Sequence, residues 1–91
     1  MTNKTAQLIR EHLEVNRPQL LLSGDVSFAS SDNETGVIVD PAKLGEFMTA
    51  LNTLLIDLLH RKKDGAYRLF LDLHKVKAET VATKKTHLLL I

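Results

Sequence analysis

The sequence predicts an α+β fold: a two-layer sandwich with two helices packed on a mainly antiparallel sheet of four to five strands. Three observations predict it. Apolar residues recur at helical spacing over 5–16 and 41–63, they alternate with polar residues over 19–28 and 67–74, and turn formers separate these segments at 30–36 and 64–65. The expected order is helix, two or three strands, helix, two strands, in one domain covering residues 1–91.

In the first helix, Thr5, Leu8, Ile9, His12, Leu13 and Val15 fall on one side, and Lys4, Gln7, Arg10, Glu11 and Glu14 on the other. Pro18 ends it. From Gln19 the period becomes two: Leu20, Leu22, Val26 and Phe28 point one way with Gly24 between them, which reads as one strand, or two short strands, bent at a glycine bulge. Polar turn formers then lead into the β-branched run Val37-Ile38-Val39, so a hairpin is expected.

Asp40-Pro41 is a strong helix start, because Asp at the N-cap accepts from free backbone N–H groups and Pro at the first helical position has no donor to leave unpaired. The long helix that follows carries Leu44, Phe47, Met48, Leu51, Leu54, Leu55, Leu58 and Leu59 on one arc, and Asp64-Gly65 is expected to end it. Tyr67, Leu69, Leu71 and Leu73 alternate with Arg68, Phe70, Asp72 and His74, the pattern of a strand with one apolar face. Residues 76–85 are polar and basic, suiting a hairpin loop or the strand ends around it. The last residues, His87-Leu88-Leu89-Leu90-Ile91, are apolar on both faces, as in a central strand or one that meets a partner. One arrangement that satisfies this order is a circularly permuted ferredoxin-like sheet with the last strand central. Another pairs that strand with its twin across a dimer axis.

Composition narrows the chemistry. Leu, Ile, Val and Phe make up 30 of the 91 residues, which excludes intrinsic disorder for most of the chain. A domain this short buries only about 60 to 65% of the surface its unfolded chain exposes, so a thin core and a second copy are expected. With no cysteine, disulfide scaffolds, thiolate zinc sites, thiol nucleophiles and iron–sulfur clusters are excluded. Residues 1–17 have no long apolar run, so neither a secretory leader nor a membrane span is expected there, and the expected location is cytoplasmic. The net charge of +1 conceals a division: residues 1–59 hold four bases against eight acids, and residues 60–91 hold eight bases against three.

Few catalytic or ligand-binding motifs are present. The four glycines are scattered and form no phosphate loop, and there is no nucleophile elbow. Asp72 and His74, with His87 on a pairing strand, are the nearest approach to a metal site, but they lack ligand spacing, so no metal and no cofactor are expected. His12, in the middle of an apolar stripe, reads as a core or interface histidine.

Two binding surfaces remain. Ile56 outside the main arc of the long helix, Phe70 on the polar face of its strand, and Leu88 and Leu90 on the second side of the last strand are more apolar groups than one sheet face and two helices need; Ile56, Leu59, Leu88 and Leu90 are the candidate residues of a protein interface and a homodimer. Lys75, Lys77, Lys84 and Lys85 bracket one loop, with Arg68 and Phe70 sharing a face of the strand beside it, a set suited to phosphates and bases. The expected function is therefore a non-enzymatic binding protein acting through protein–protein contacts as an adaptor, inhibitor or regulator, with nucleic-acid binding by the basic hairpin as the alternative.

Overall fold

In the computed structural model of the chain, residues 1–32, 34–61, 64–82 and 88–89 are described. Four α-helices dominate: α1 (Asn3–Asn16), α2 (Pro18–Leu22), α3 (Leu44–Arg61) and α4 (Asp64–Ala82). A small antiparallel sheet in the order β1-β2-β3 joins β1 (Val26–Ser31), β2 (Glu34–Val39) and the two-residue β3 (Leu88–Leu89). The expected sandwich on four to five strands is therefore corrected to a helix-rich fold built around one hairpin.

Most of the correction lies in residues 64–82, expected to begin with a helix stop and continue as a strand, and found as α4. Leucine spacing over 67–74 satisfies two periods at once. The buried or half-buried apolar positions are Ala66, Leu69, Phe70, Leu73 and Val76, at helical steps of one, three and four, whereas Tyr67 and Leu71 of the expected apolar strand face are exposed. Leucine favours helix, and between 64 and 78 only Val76 is β-branched, so propensity sides with the 3.6-residue period. The same reasoning applies to Gln19–Leu22, where Pro18 opens the short helix α2 in place of a strand. Gly24, with φ 82°, makes the turn from α2 into β1; it is not a bulge.

Other elements follow the local signals. Thr2 caps α1, its Oγ1 accepting from the Thr5 N–H at 3.2 Å. Asp40 caps the 3₁₀ turn Pro41–Lys43 that leads into α3, its Oδ1 accepting from the Ala42 N–H at 2.9 Å. The hairpin pairs Val26 with Val39 and Ser31 with Glu34, and Asp32 at its turn takes φ 44°, the left-handed conformation that tight two-residue hairpin loops require.

Strand β2 is central. Its second edge pairs with β3 at Val37 and Ile38 and with the first residues of the chain at Glu34 and Thr35, where the Thr35 N–H donates to the Met1 carbonyl at 3.0 Å. One core joins all the layers: Ile9 and Leu13 from α1, Val26, Val37 and Val39 from the sheet, Phe47, Leu51 and Leu58 from α3, and Leu73 and Val76 from α4. Val15, expected on the apolar side of α1, is 80% exposed. Among the described residues, no helix is long and apolar enough to cross a membrane.

Candidate protein-interaction site

Helices α3 and α4 pack side by side as an antiparallel pair. On α3, Asn52, Ile56 and Leu59 stand one above another at i, i+4 and i+7; on α4, Phe70, His74 and Lys77 do the same. Lys77 Nζ donates to Asn52 Oδ1, which fixes these two rows as neighbours across the helix pair. Moving away from that bond, Ile56 and Leu59 on α3 run alongside His74 and Phe70 on α4.

The α4 row is aromatic. Phe70 stacks on Tyr67 with ring centroids 6.4 Å apart and on His74 at 6.2 Å. Its apolar neighbours are open to solvent: Tyr67 is 61% exposed, Ile56 56%, Leu59 50% and Leu71 44%. Apolar groups exposed singly are ordinary on a protein surface, but four of them on two helices that pack together have the character of an interaction face. No acid lies in these rows, and their only formal charge, Lys77, is held at one end by Asn52.

Sequence reasoning found Ile56 and Leu59 but missed Tyr67 and Leu71. Both had been assigned to the buried face of a strand, and their i, i+4 spacing on the solvent side of a helix was the available signal. Of the other two expected interface residues, Leu88 sits in β3 opposite Ile38, and Leu90 lies outside the described residues.

The expected basic hairpin is corrected by α4. Lys75 and Lys77 lie on that helix and flank no loop between strands; Lys84 and Lys85 lie outside the described residues. Two residues apart on a helix is about 200° around its axis, so Arg68 and Phe70 do not share a face. Arg68 is exposed, whereas Phe70 is half-buried and packs against the core. Helical geometry likewise parts Asp72 from His74: Asp72 Oδ2 accepts from Thr5 Oγ1 at 3.2 Å while His74 stacks on Phe70, and His87 lies outside the described residues.

His12 is half-buried between α1 and α3, as an interface histidine would be. Asn16 Nδ2 lies 3.2 Å from its Nδ1, which assigns the neutral ring's proton to Nε2. Nε2 is buried without a partner in hydrogen-bonding geometry among the described residues. Burial pushes the pKa of His12 below its ordinary 6.5; the Ala50 carbonyl and the Asp57 carboxylate oppose the shift, and Arg17 adds to it.

A second concavity lies on the far side of α1, a polar groove of about 340 Å³ between that helix and the hairpin. Gln7, Arg10, Glu11 and Glu14 form its rim, and the Arg10 guanidinium sits over the Phe28 ring at 4.8 Å. No family model matches this chain, and neither a curated protein nor a solved structure resembles it significantly.

Proposed function

We propose that the chain is a non-enzymatic protein-interaction module of the cytoplasm, an adaptor, inhibitor or regulator that docks a partner protein on the strip formed by Ile56, Leu59, Tyr67, Phe70 and Leu71. The exposure of these side chains carries the reading: Ile56 and Leu59 on α3 and Tyr67 and Leu71 on α4 are four large apolar side chains, each 44% exposed or more, on two helices that pack together. Exposed apolar side chains on two neighbouring helices suit a partner that lays an amphipathic helix along the pair. In this reading the working unit is a homodimer carrying two such strips. Nucleic-acid binding has less support, because Arg68 and Phe70 do not act on one surface and Lys77 is engaged by Asn52.

Site-specific photo-crosslinking tests the proposal. A photoreactive residue placed at Ile56 or at Leu71, in the full chain expressed in its own cells, is expected to yield the same adduct with one partner protein. The same residue at Gln7, on the far side of α1, is expected to yield none. Absence of an adduct from both strip positions, or equal labelling from Gln7, refutes the docking face.

A further inference from the structure

We infer that the segment docked on this face is an acidic amphipathic helix: its apolar side lies on Ile56, Tyr67 and Leu71, and two carboxylates about seven residues apart on one flank meet Arg68 and Lys75. This rests on the docking face proposed above and names the chemistry of its occupant.

The charge follows from the phase of α4. Arg68, Leu71 and Lys75 stand at i, i+3 and i+7, a single row, because seven residues return to within about 20° of the same direction after a rise of about 10.5 Å. Leu71 is 44% exposed, Arg68 and Lys75 are exposed on either side of it, and Tyr67 lies one turn before it. Lys77 faces α3 through its bond to Asn52, and Lys75 is about 200° around the axis from Lys77, so the two cations border the apolar surface of α4 on the side away from α3.

Among the described residues neither Arg68 nor Lys75 is in an ion pair. The carboxylates of Asp72 and Asp57 are engaged elsewhere: Asp72 Oδ2 accepts from Thr5 Oγ1 on α1, and Asp57 Oδ2 meets Arg61 at 2.9 Å. The margin on α3 is uncharged. Thr49 and Thr53, on the row that reaches Ile56 at i, i+4 and i+7, donate their hydroxyls to the carbonyls of Gly45 and Thr49.

A partner helix matches both features at once. Laid along α4 it has the same rise per residue, so acids seven apart on its flank span the roughly 10.5 Å from Arg68 to Lys75, and the apolar residues beside them fall on Leu71 and Tyr67. A basic flank would bring like charges together at the same two points. A nucleic-acid strand would satisfy the cations but leave the exposed apolar side chains beside them against phosphate.

Two peptides of about 18 residues probe the full chain: each presents a leucine stripe at helical spacing in a Gln- and Ala-rich sequence, and beside the stripe carries either two Glu or two Lys seven residues apart. Isothermal titration at about 50 mM salt reads affinity, and backbone-amide NMR shifts read location. The Glu peptide is expected to bind with its largest shifts at Ile56, Tyr67 and Leu71, and the Lys peptide to bind at least about tenfold more weakly. Arg68→Glu combined with Lys75→Glu reverses that order, Arg68→Lys with Lys75→Arg preserves it, and raising the salt about tenfold narrows it. Ile56→Gln with Leu71→Gln, which removes apolar surface and no charge, weakens both peptides. Equal affinity of the two peptides, each still dependent on Ile56 and Leu71, overturns the acidic partner and leaves the docking face standing. No binding of the Glu peptide up to about 1 mM, or binding that survives Ile56→Gln with Leu71→Gln, overturns the face and the inference together. Displacement of the Glu peptide by an equimolar oligothymidylate of about 12 nucleotides overturns the inference in favour of nucleic acid.

Discussion

Leu73 and Leu71 lie about 200° apart around a helix axis, and replacing each with alanine tests the helical assignment of residues 64–82. Leu73 is fully buried in the core and Leu71 is 44% exposed. Leu→Ala deletes about three methylene equivalents, worth roughly 0.8 kcal/mol each in transfer, and a buried site adds a cavity contribution that brings such losses to about 2 to 5 kcal/mol. Leu73→Ala is expected near the middle of that range, about 3 kcal/mol. Leu71→Ala forfeits only the part of the side chain that is covered and gains slightly in helix propensity, so about 1 kcal/mol or less is expected. Urea unfolding followed by circular dichroism reads both: with a slope of about 1 kcal/mol per molar, appropriate to a small domain, the midpoints separate by roughly 2 M. In a strand, Leu69, Leu71 and Leu73 would share the core face, and the two substitutions would cost alike. Equal losses, together with a negligible loss for Val76→Ala, would refute the helix.

Three other substitutions probe single contacts. Because burial lowers the His12 pKa, the unfolded chain binds its proton more readily: the stability attached to His12 is complete above about pH 6.5 and is lost as pH falls through the lower folded-state value, so His12→Leu should flatten the unfolding midpoint against pH between 7 and 5. Asp40→Ala removes the acceptor of the Ala42 N–H and is expected to cost about 1 kcal/mol in thermal or chemical unfolding, with Asp40→Asn or Asp40→Ser recovering most of it. Thr5→Val keeps the shape of a fully buried side chain and deletes its hydrogen bond to Asp72; a double-mutant cycle with Asp72→Ala should give a coupling of about 1 kcal/mol, and a coupling near zero would mean that the bond contributes nothing.

What could be read from the sequence was what a single local signal specifies. The expected 5–16 helix corresponds to α1 (Asn3–Asn16), and Asp40-Pro41 marks the start of the turn into α3, because a cap and a proline act within a few residues. The hairpin was legible for the same reason. Residues 67–74 were not, since alternation and helical periodicity coincide when every second residue is leucine, and only packing against Ile9, Leu13 and Leu58 selects the face that is buried. The consequences for the candidate surfaces are specific. Ile56 reads as surplus because it lies outside the apolar arc of the long helix, whereas Leu59, counted on that arc, is 50% exposed. The lysine cluster depended on a strand over 67–74 that is a helix in the structure, which puts Lys75 and Lys77 on α4, while Lys84 and Lys85 lie outside the described residues.

Helix α1 shows why the helix-rich arrangement holds a sheet so small. Read alone, it is an amphipathic helix whose polar residues belong in water. In the fold, three of its polar side chains and its C-cap residue each meet a different element: Asn3 Oδ1 accepts from Thr35 Oγ1 on β2 at 2.6 Å, Thr5 reaches Asp72 on α4, Arg10 covers Phe28 on β1, and the Arg17 Nε lies 3.8 Å from Glu46 on α3. The exposed ion pair adds little stability, but the buried hydroxyls of Thr5 and Thr35 accept only one alignment of α1, because any slip leaves them desolvated without partners. Apolar contacts from Ile9 and Leu13 supply the attraction, and the hydroxyls set the register. A two-strand hairpin is at best marginally stable by itself, so α1 supplies the third layer that β1 and β2 lack.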